Sequence, residues 1–327
     1  MEPIIFLDEI QNVEGWEHFA RRLADEKRRV FITGSNAHML SREIASTLGG
    51  RYLMQEIYPF SFTEYLEYHH ITLDAHWHLA PIRTDVVRLF EGYFYNGGLP
   101  ESFCYTDKRA WLTSLYQKIL YSDIVIRNNV RNEQSLRLLV RKLADSVLQP
   151  TAIKRLQNIL QGDGSKVTRE TISSYLGYLH DAYLLSIRRQ RQMCIRDSND
   201  SIPQREGTKK HYFYDNGILN LFLFQPETKL LENIVAIYLY KQYGEALFYY
   251  NKNVEVDFVV PDAGLAIQVS YSLRDEQTRN REVNALVSLS RFMNISTALI
   301  ISKDQEETIE QDGISIKVIP VWKWLAD

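Results

Sequence analysis

With 327 residues, the chain is long enough for two or three domains with cores of their own. Its 45% hydrophobic and 24% charged content is ordinary for globular proteins, and a net charge of -3 excludes nucleic-acid binding by overall attraction, leaving a local patch as the only route. Cys104 and Cys194 match no metal spacing and exclude a disulfide framework, no apolar run spans a bilayer, and Met1-Glu2-Pro3 lacks a signal-peptide flank, so a soluble cytoplasmic protein is expected.

Ile4 to Leu7 is a short all-apolar run, which suits a parallel strand buried on both faces, and Asp8 and Glu9 follow at once. Trp16 to Ala24 has helical spacing, with Trp16, Phe19, Ala20 and Leu23 on one face. Val30 to Thr33 is a second apolar strand and ends in Gly34-Ser35-Asn36. Strand, helix, strand sets polar groups just past two strand ends, where open α/β sheets bind ligands. Helical periodicity runs from about His38 to Leu160, broken at Gly97-Gly98-Leu99-Pro100 and at Gln149-Pro150. From Val147 to Ile187 the order helix, Gly-rich turn, helix, strand fits a winged helix. Thr168 is the expected N-cap of its second helix, with Ile172, Tyr175, Leu176 and Leu179 as the buried stripe. Arg188 to Lys210 is polar and aperiodic. An α/β pattern then begins: a helix over Leu230 to Tyr243, strands over Val254 to Val260 and Leu265 to Ser270 joined by a tight Pro261-Asp262-Ala263-Gly264 turn, a helix over Thr278 to Phe292, and strands over Thr297 to Ile301 and Ile314 to Ile319.

An apolar strand ending in Asp-Glu suits nucleotide hydrolysis. Asp8 would hold a Mg²⁺-bound water, Glu9 would orient the attacking water, and Ser35 or Asn36 would sense the γ-phosphate. The same two carboxylates would equally serve to cap the helix after the strand.

Ile5-Phe6-Leu7-Asp8-Glu9-Ile10-Gln11 closely resembles the Walker B segment of prokaryotic AAA-type ATP-binding proteins whose C-terminal domain of unknown function looks like a restriction endonuclease fold. The resemblance continues through Thr33-Gly34-Ser35-Asn36-Ala37, which looks like sensor 1, and through Gly50-Arg51-Tyr52 and Tyr58-Pro59-Phe60-Ser61-Phe62. It extends to Gly97-Gly98-Leu99-Pro100-Glu101, Tyr212-Phe213-Tyr214-Asp215-Asn216-Gly217 and Pro320-Val321-Trp322-Lys323-Trp324-Leu325. It implies a multidomain α/β chain: a truncated AAA-type (P-loop NTPase) sheet over 1–70, a helical lid over 71–145, a winged helix over 146–190, a variable linker over 191–204, and a restriction-endonuclease-like domain over 205–327. It also implies ATP and Mg²⁺ as ligands of the full-length parent, and Arg51 as a transition-state arginine; Arg51 also reads as a surface arginine after a Gly-Gly turn. One part of the family pattern is missing. Only three residues precede Ile4 and no G-x-x-x-x-G-K-[ST] occurs, so the chain is expected to be cut upstream of Walker B and not to hydrolyse ATP by itself.

By the same resemblance, Glu232, Asp257 and Gln268 stand where restriction endonucleases hold Mg²⁺ or Mn²⁺, but Gln268-Val269-Ser270 replaces the family's Glu-x-Lys. The expectation is a retained fold without cleavage; the competing reading is a metal-dependent nuclease with a relocated lysine, Lys252. Lys154, Arg155, Lys166 and Arg169 flank the second helix of the winged-helix segment and would contact DNA phosphates, unless that segment serves packing alone. A protein partner, or a non-catalytic binding module, are the further readings. Finally, Gln192-Met193-Cys194-Ile195-Arg196-Asp197-Ser198 is what the transposase adapter string CAG ATG TGT ATA AGA GAC AGC encodes, so residues around Arg189 to Asn199 read as an assembly artefact or as an ordinary polar loop.

Overall fold

In a computed structural model, residues 3–10, 13–35, 49, 52–162, 164, 166–189 and 209–327 are described, 187–189 for their backbone alone. Asn36, Arg51, Cys194 and the adapter-like string lie outside them.

β1 (Ile4–Leu7) and β2 (Arg29–Ile32) pair in parallel, with Ile4 opposite Arg29 and Leu7 opposite Ile32. α1 (Trp16–Asp25) is the crossover between them; it packs Trp16 and Ala20 against the pair and also buries Leu23. Two expectations fail here. Phe19 is 41% exposed, with Arg22 over its ring, so the buried stripe of α1 is narrower than its apolar spacing suggests. β1 is covered on one face, not two: Phe6 is 71% exposed and stacks on the exposed Phe31. Strand side chains alternate between faces, so a single covering helix shelters every second residue, and nothing among the described residues covers the other face.

The next region is helical. Ser61 opens α2 (Phe62–Tyr68) with a capping box: its hydroxyl accepts from Glu64 N and its backbone N–H donates to the Glu64 carboxylate. α3 (Ile82–Asn96), α4 (Lys108–Lys118), a π-helical continuation over Ile119–Ile126, and α5 (Glu133–Asp145) follow. Val86, Phe90, Phe94, Leu120, Ile124, Leu136, Leu139 and Val140 interlock as their fully buried centre.

α6 (Ile153–Gly162) and α7 (Arg169–Asp181) come next. Thr168 does cap α7, its hydroxyl accepting from Thr171 N at 3.2 Å, and Ile172, Tyr175, Leu176 and Leu179 are its buried residues. β3 (Leu185–Arg189) then pairs antiparallel with β4 (Lys209–Phe213). Both strands reach into the tract that reads as aperiodic, because pairing across the intervening residues, not local pattern, makes them strands.

α8 (Asn216–Asn220) and α9 (Glu227–Tyr243) lead into a six-stranded sheet. Its strands are β5 (Phe248–Asn251), β6 (Glu255–Val260), β7 (Leu265–Val269), β8 (Thr297–Ser302), β9 (Glu307–Gln311) and β10 (Ile314–Pro320), in the order β5-β6-β7-β8-β10-β9. β7, β8 and β10 are parallel and the other pairs antiparallel. α10 (Glu276–Ser290) is the crossover from β7 to β8 and packs on one face with Val256, Val259, Ala266, Ile300 and Val318. On the other face Phe258, Ile267, Leu299 and Ile301 join the core of the helical region and α9. The chain closes with α11 (Val321–Trp324).

Three of the motifs that carry the family resemblance meet where α3 ends. Asp215 Oδ1 accepts from Gly217 N and Ile218 N at 2.8 and 3.1 Å, capping α8, and its Oδ2 accepts from Gly98 N at 2.8 Å. Gly98 in turn accepts from Phe60 N at 2.8 Å, and Tyr93 donates its hydroxyl to Phe60 O. A Cβ on Gly97, whose φ is 77°, would lie 2.1 Å from the Asp215 carboxylate, so the junction closes only around glycine.

Candidate functional site

Because β1 and β2 are parallel, their C-terminal ends open on the same side, and Asp8, Glu9, Thr33 and Ser35 converge there. The Thr33 hydroxyl donates to Asp8 Oδ1 and accepts from Glu9 N at 3.2 Å. Ser35 Oγ donates to Glu9 Oε2 at 3.1 Å. Glu9 has φ 47°, a left-handed conformation uncommon outside glycine and found at functional turns. Neither acid caps α1, whose N-cap is Gly15. Asp8, Glu9 and Thr33 are exposed and Ser35 is half-buried. The charge of Glu9 also reaches Asp123 on the π-helical stretch; burial first, and Glu9 among lesser causes, holds that carboxyl above its ordinary range. Arg127 pairs with Asp123 at 3.4 Å and leaves Nη1 buried, with no hydrogen-bond partner among the described residues. The sequence gives no local sign of either residue.

A second acidic cluster is enclosed. Residues two apart on a strand share a face, and β4 sends both Lys210 and Tyr212 toward α9 and β6. The Lys210 side chain is 0% exposed, with Nζ 3.1 Å from Glu232 Oε1, 3.0 Å from Asp257 Oδ1 and 3.3 Å from Glu255 Oε1. Tyr212 donates its hydroxyl to Glu232 Oε1 at 2.7 Å. Asp257 Oδ2 accepts from Val269 N at 3.0 Å. Gln268 spans β6: its Oε1 accepts from Asp257 N and its Nε2 donates to Glu255 O, both at 2.9 Å. Burial raises Glu232 above the ordinary carboxylate range. Burial alone would lower Lys210, but Glu232, Tyr212, Asp257 and Glu255 together raise it well above the usual lysine range.

So Glu232, Asp257 and Gln268 do come together, and Lys252 does not join them. Lys252 is exposed in the turn between β5 and β6, and the amine in the cluster is Lys210. Ser270 turns away, its hydroxyl donating to Ser272 O at 3.1 Å. Among the described residues, no group of three or more His, Cys, Asp or Glu side chains is arranged to hold a metal ion. At the winged-helix segment Lys154, Arg155, Lys166 and Arg169 are all exposed, Arg169 donating to Gln157 Oε1 at 3.3 Å. No helix among the described residues is long and apolar enough to cross a membrane.

A family described as an AAA domain matches residues 1–66, the stretch holding β1, β2, Asp8 and Glu9. A family described as a domain of unknown function (DUF8612) matches residues 87–229. The AAA-domain match takes in both strands of the parallel pair and the acidic edge they form. An uncharacterized protein of Methanocaldococcus jannaschii is 30% identical over 336 positions, taking in 98% of this chain and 74% of that protein. An uncharacterized protein of Haemophilus influenzae is 30% identical over 330 positions, taking in 98% of this chain and 78% of its own length. The chain belongs to the family that these two uncharacterized proteins represent. No solved structure matches it.

Proposed function

We propose that the chain is part of a nucleotide-driven switch whose Asp8-Glu9 edge serves Mg²⁺-ATP and whose helical and α/β regions pass the nucleotide state to DNA or to a protein partner. The observation that carries this reading is the convergence of Asp8, Glu9, Thr33 and Ser35 at the ends of two parallel strands. Their donor atoms are all hard oxygens, the set that suits Mg²⁺, which uses one or two protein carboxylates and takes the rest from water and phosphate. When bound, Mg²⁺-ATP supplies a γ-phosphate whose charge the metal partly neutralises. Asp8 would hold a metal-bound water and Glu9 would orient a second water. Ser35 or Asn36 would donate to the γ-phosphate and Arg51 would meet its developing charge. The 327 residues include no G-x-x-x-x-G-K-[ST], so this chain alone is expected to lack ATP turnover.

The six-stranded region we assign as restriction-endonuclease-like and non-cleaving. The β6–β7 hairpin, the α10 crossover to parallel β8, and Glu232 and Asp257 at its margin support that assignment. DNA contact through α6, α7 and the β3–β4 hairpin is a second reading, favoured by the four exposed basic side chains. Binding to duplex DNA that weakens steeply with salt supports it, and salt-insensitive or absent binding removes it.

The nucleotide reading is tested with a chain extended to the length of the relatives. Wild type should hydrolyse ATP only with Mg²⁺, and Glu9→Gln should bind ATP and lose turnover. Turnover untouched by Glu9→Gln, or turnover by the 327-residue chain free of contaminating ATPase, contradicts it.

A further inference from the structure

The restriction-endonuclease assignment implies a divalent cation between Glu232 and Asp257. The donor set in that pocket does not fit one. An ammonium has three N–H donors and no acceptor. Lys210 has an acceptor within reach for each of them: Glu232 Oε1 at 3.1 Å, Asp257 Oδ1 at 3.0 Å and Glu255 Oε1 at 3.3 Å. Oxygens around Mg²⁺ stand at about 2.0–2.1 Å and around Ca²⁺ at about 2.3–2.6 Å, so the same oxygens would have to close in on a centre that Nζ already fills.

Two further oxygens that line the pocket are engaged as well. Asp257 Oδ2 accepts from Val269 N, and Gln268 Oε1 accepts from Asp257 N. Gln268 Nε2 donates to Glu255 O, so both ends of the amide brace β6 and neither faces a ligand. Tyr212, completely buried beside the lysine, donates a further hydrogen bond to Glu232. A second positive charge inside this enclosure would meet the ammonium at close range in low dielectric, where repulsion is strong.

We infer that the ammonium of Lys210 is the resident cation of the Glu232–Asp257–Glu255 pocket, that it excludes divalent metal, and that removing it converts the pocket into a divalent-cation site. The lysine comes from β4, the second strand of the β3–β4 hairpin, and the carboxylates come from α9 and β6. The pocket thus joins the hairpin to the sheet by charge, and its chemistry is cohesion, not hydrolysis. The inference stands apart from the nucleotide reading, since it involves none of the residues of the β1–β2 edge.

Thermal melting of the purified 327-residue chain with and without Mn²⁺ tests it. Lys210→Met should melt below wild type without metal, regain stability when Mn²⁺ is added, and lose that regain when Asp257→Asn is added to it. A folded Lys210→Met whose melting Mn²⁺ leaves unmoved overturns the inference. Should Lys210→Met not fold, a second measurement decides without it. Bound Mn²⁺, counted from the paramagnetic resonance of the free ion, should be the same in wild type and in Glu255→Gln, a substitution at the half-open rim of the pocket. Loss of one bound ion in Glu255→Gln shows metal in the wild-type pocket and overturns the inference. Any Mn²⁺ taken up at the Asp8-Glu9 edge adds equally to both proteins and cancels in that difference.

Discussion

The chain has acidic side chains at two sheet margins, and it treats them in opposite ways. Asp8 and Glu9 stand exposed at the end of β1, met by the hydroxyls of Thr33 and Ser35. Glu232 and Asp257 are shut between α9, β4 and β6 and are met by the ammonium of Lys210. A hydroxyl can give way to water, metal or phosphate at little cost because the site is already wet. A buried ammonium cannot, because each carboxylate it leaves becomes an unpaired buried charge. Acids at a strand end therefore do not define chemistry by themselves; the group that meets them decides whether they remain available.

The largest expected effect comes from breaking the closed pocket. Lys210→Met leaves Glu232 and Asp257 without their counter-charge and should lower the unfolding free energy by about 3–5 kcal/mol in urea titrations. A loss below about 1 kcal/mol, the level of an exposed ion pair, would mean that the pocket is open to water.

His211, on the opposite face of β4 from Lys210, sharpens the contrast through pH. Burial pushes it down to about 4 from 6.5, with Lys209 adding to the shift, and its Nδ1 has no hydrogen-bond partner among the described residues. The folded state keeps this ring neutral while the unfolded chain takes up a proton near 6.5, so acid favours unfolding. Its contribution is full above that pH and is lost as pH falls toward 4, by up to about 3 kcal/mol. Urea unfolding of wild type against His211→Gln across this window isolates it, with the advantage of wild type shrinking as pH falls. Asp215 works in the opposite sense. Burial raises it to about 6 from 3.8, so its ionisation costs stability as pH rises through that window, and the comparison of single variants keeps the two apart.

Asp215 is also a third solution to burying an acid, with backbone amides in place of an ammonium. Asp215→Ala strands the N–H groups of Gly98, Gly217 and Ile218 and removes the cap of α8, at a cost of about 2 kcal/mol by chemical denaturation. The smallest effect on stability belongs to the open edge. Asp8→Asn and Glu9→Gln should each stay within about 0.5 kcal/mol of wild type, as exposed substitutions do.

What the sequence made legible follows the same division between local and distant causes. The α7 cap at Thr168 and its stripe of Ile172, Tyr175, Leu176 and Leu179 are set by residues within a few turns, and they stand as expected. The convergence of Asp8 with Thr33 and of Glu9 with Ser35 is likewise local, since one short crossover makes β1 and β2 parallel neighbours. Apolar spacing overstates the burial of Phe19 and of the second face of β1, because burial depends on what covers an element and an apolar run does not name its cover. β9, Glu-Thr-Ile-Glu-Gln, is an edge strand with too few apolar residues to show a period of two. Lys210 is the least legible residue of either site. In Lys209-Lys210-His211-Tyr212-Phe213 nothing local marks one lysine for burial; three carboxylates from two distant elements do that. Ser270, at a position where the family pattern has lysine, signals an amine supplied from elsewhere in the chain; Lys252, the lysine nearest to it in sequence, is an exposed turn residue.

The measurement that bears most directly on the contrast between the two sites is Mg²⁺-dependent ATP turnover by a chain extended to the length of the relatives, compared between Glu9→Gln and Asp257→Asn, each first confirmed as folded. Turnover lost in Glu9→Gln and retained in Asp257→Asn is the expected result. Turnover retained in Glu9→Gln and lost in a folded Asp257→Asn would place the chemistry in the closed pocket and contradict the account.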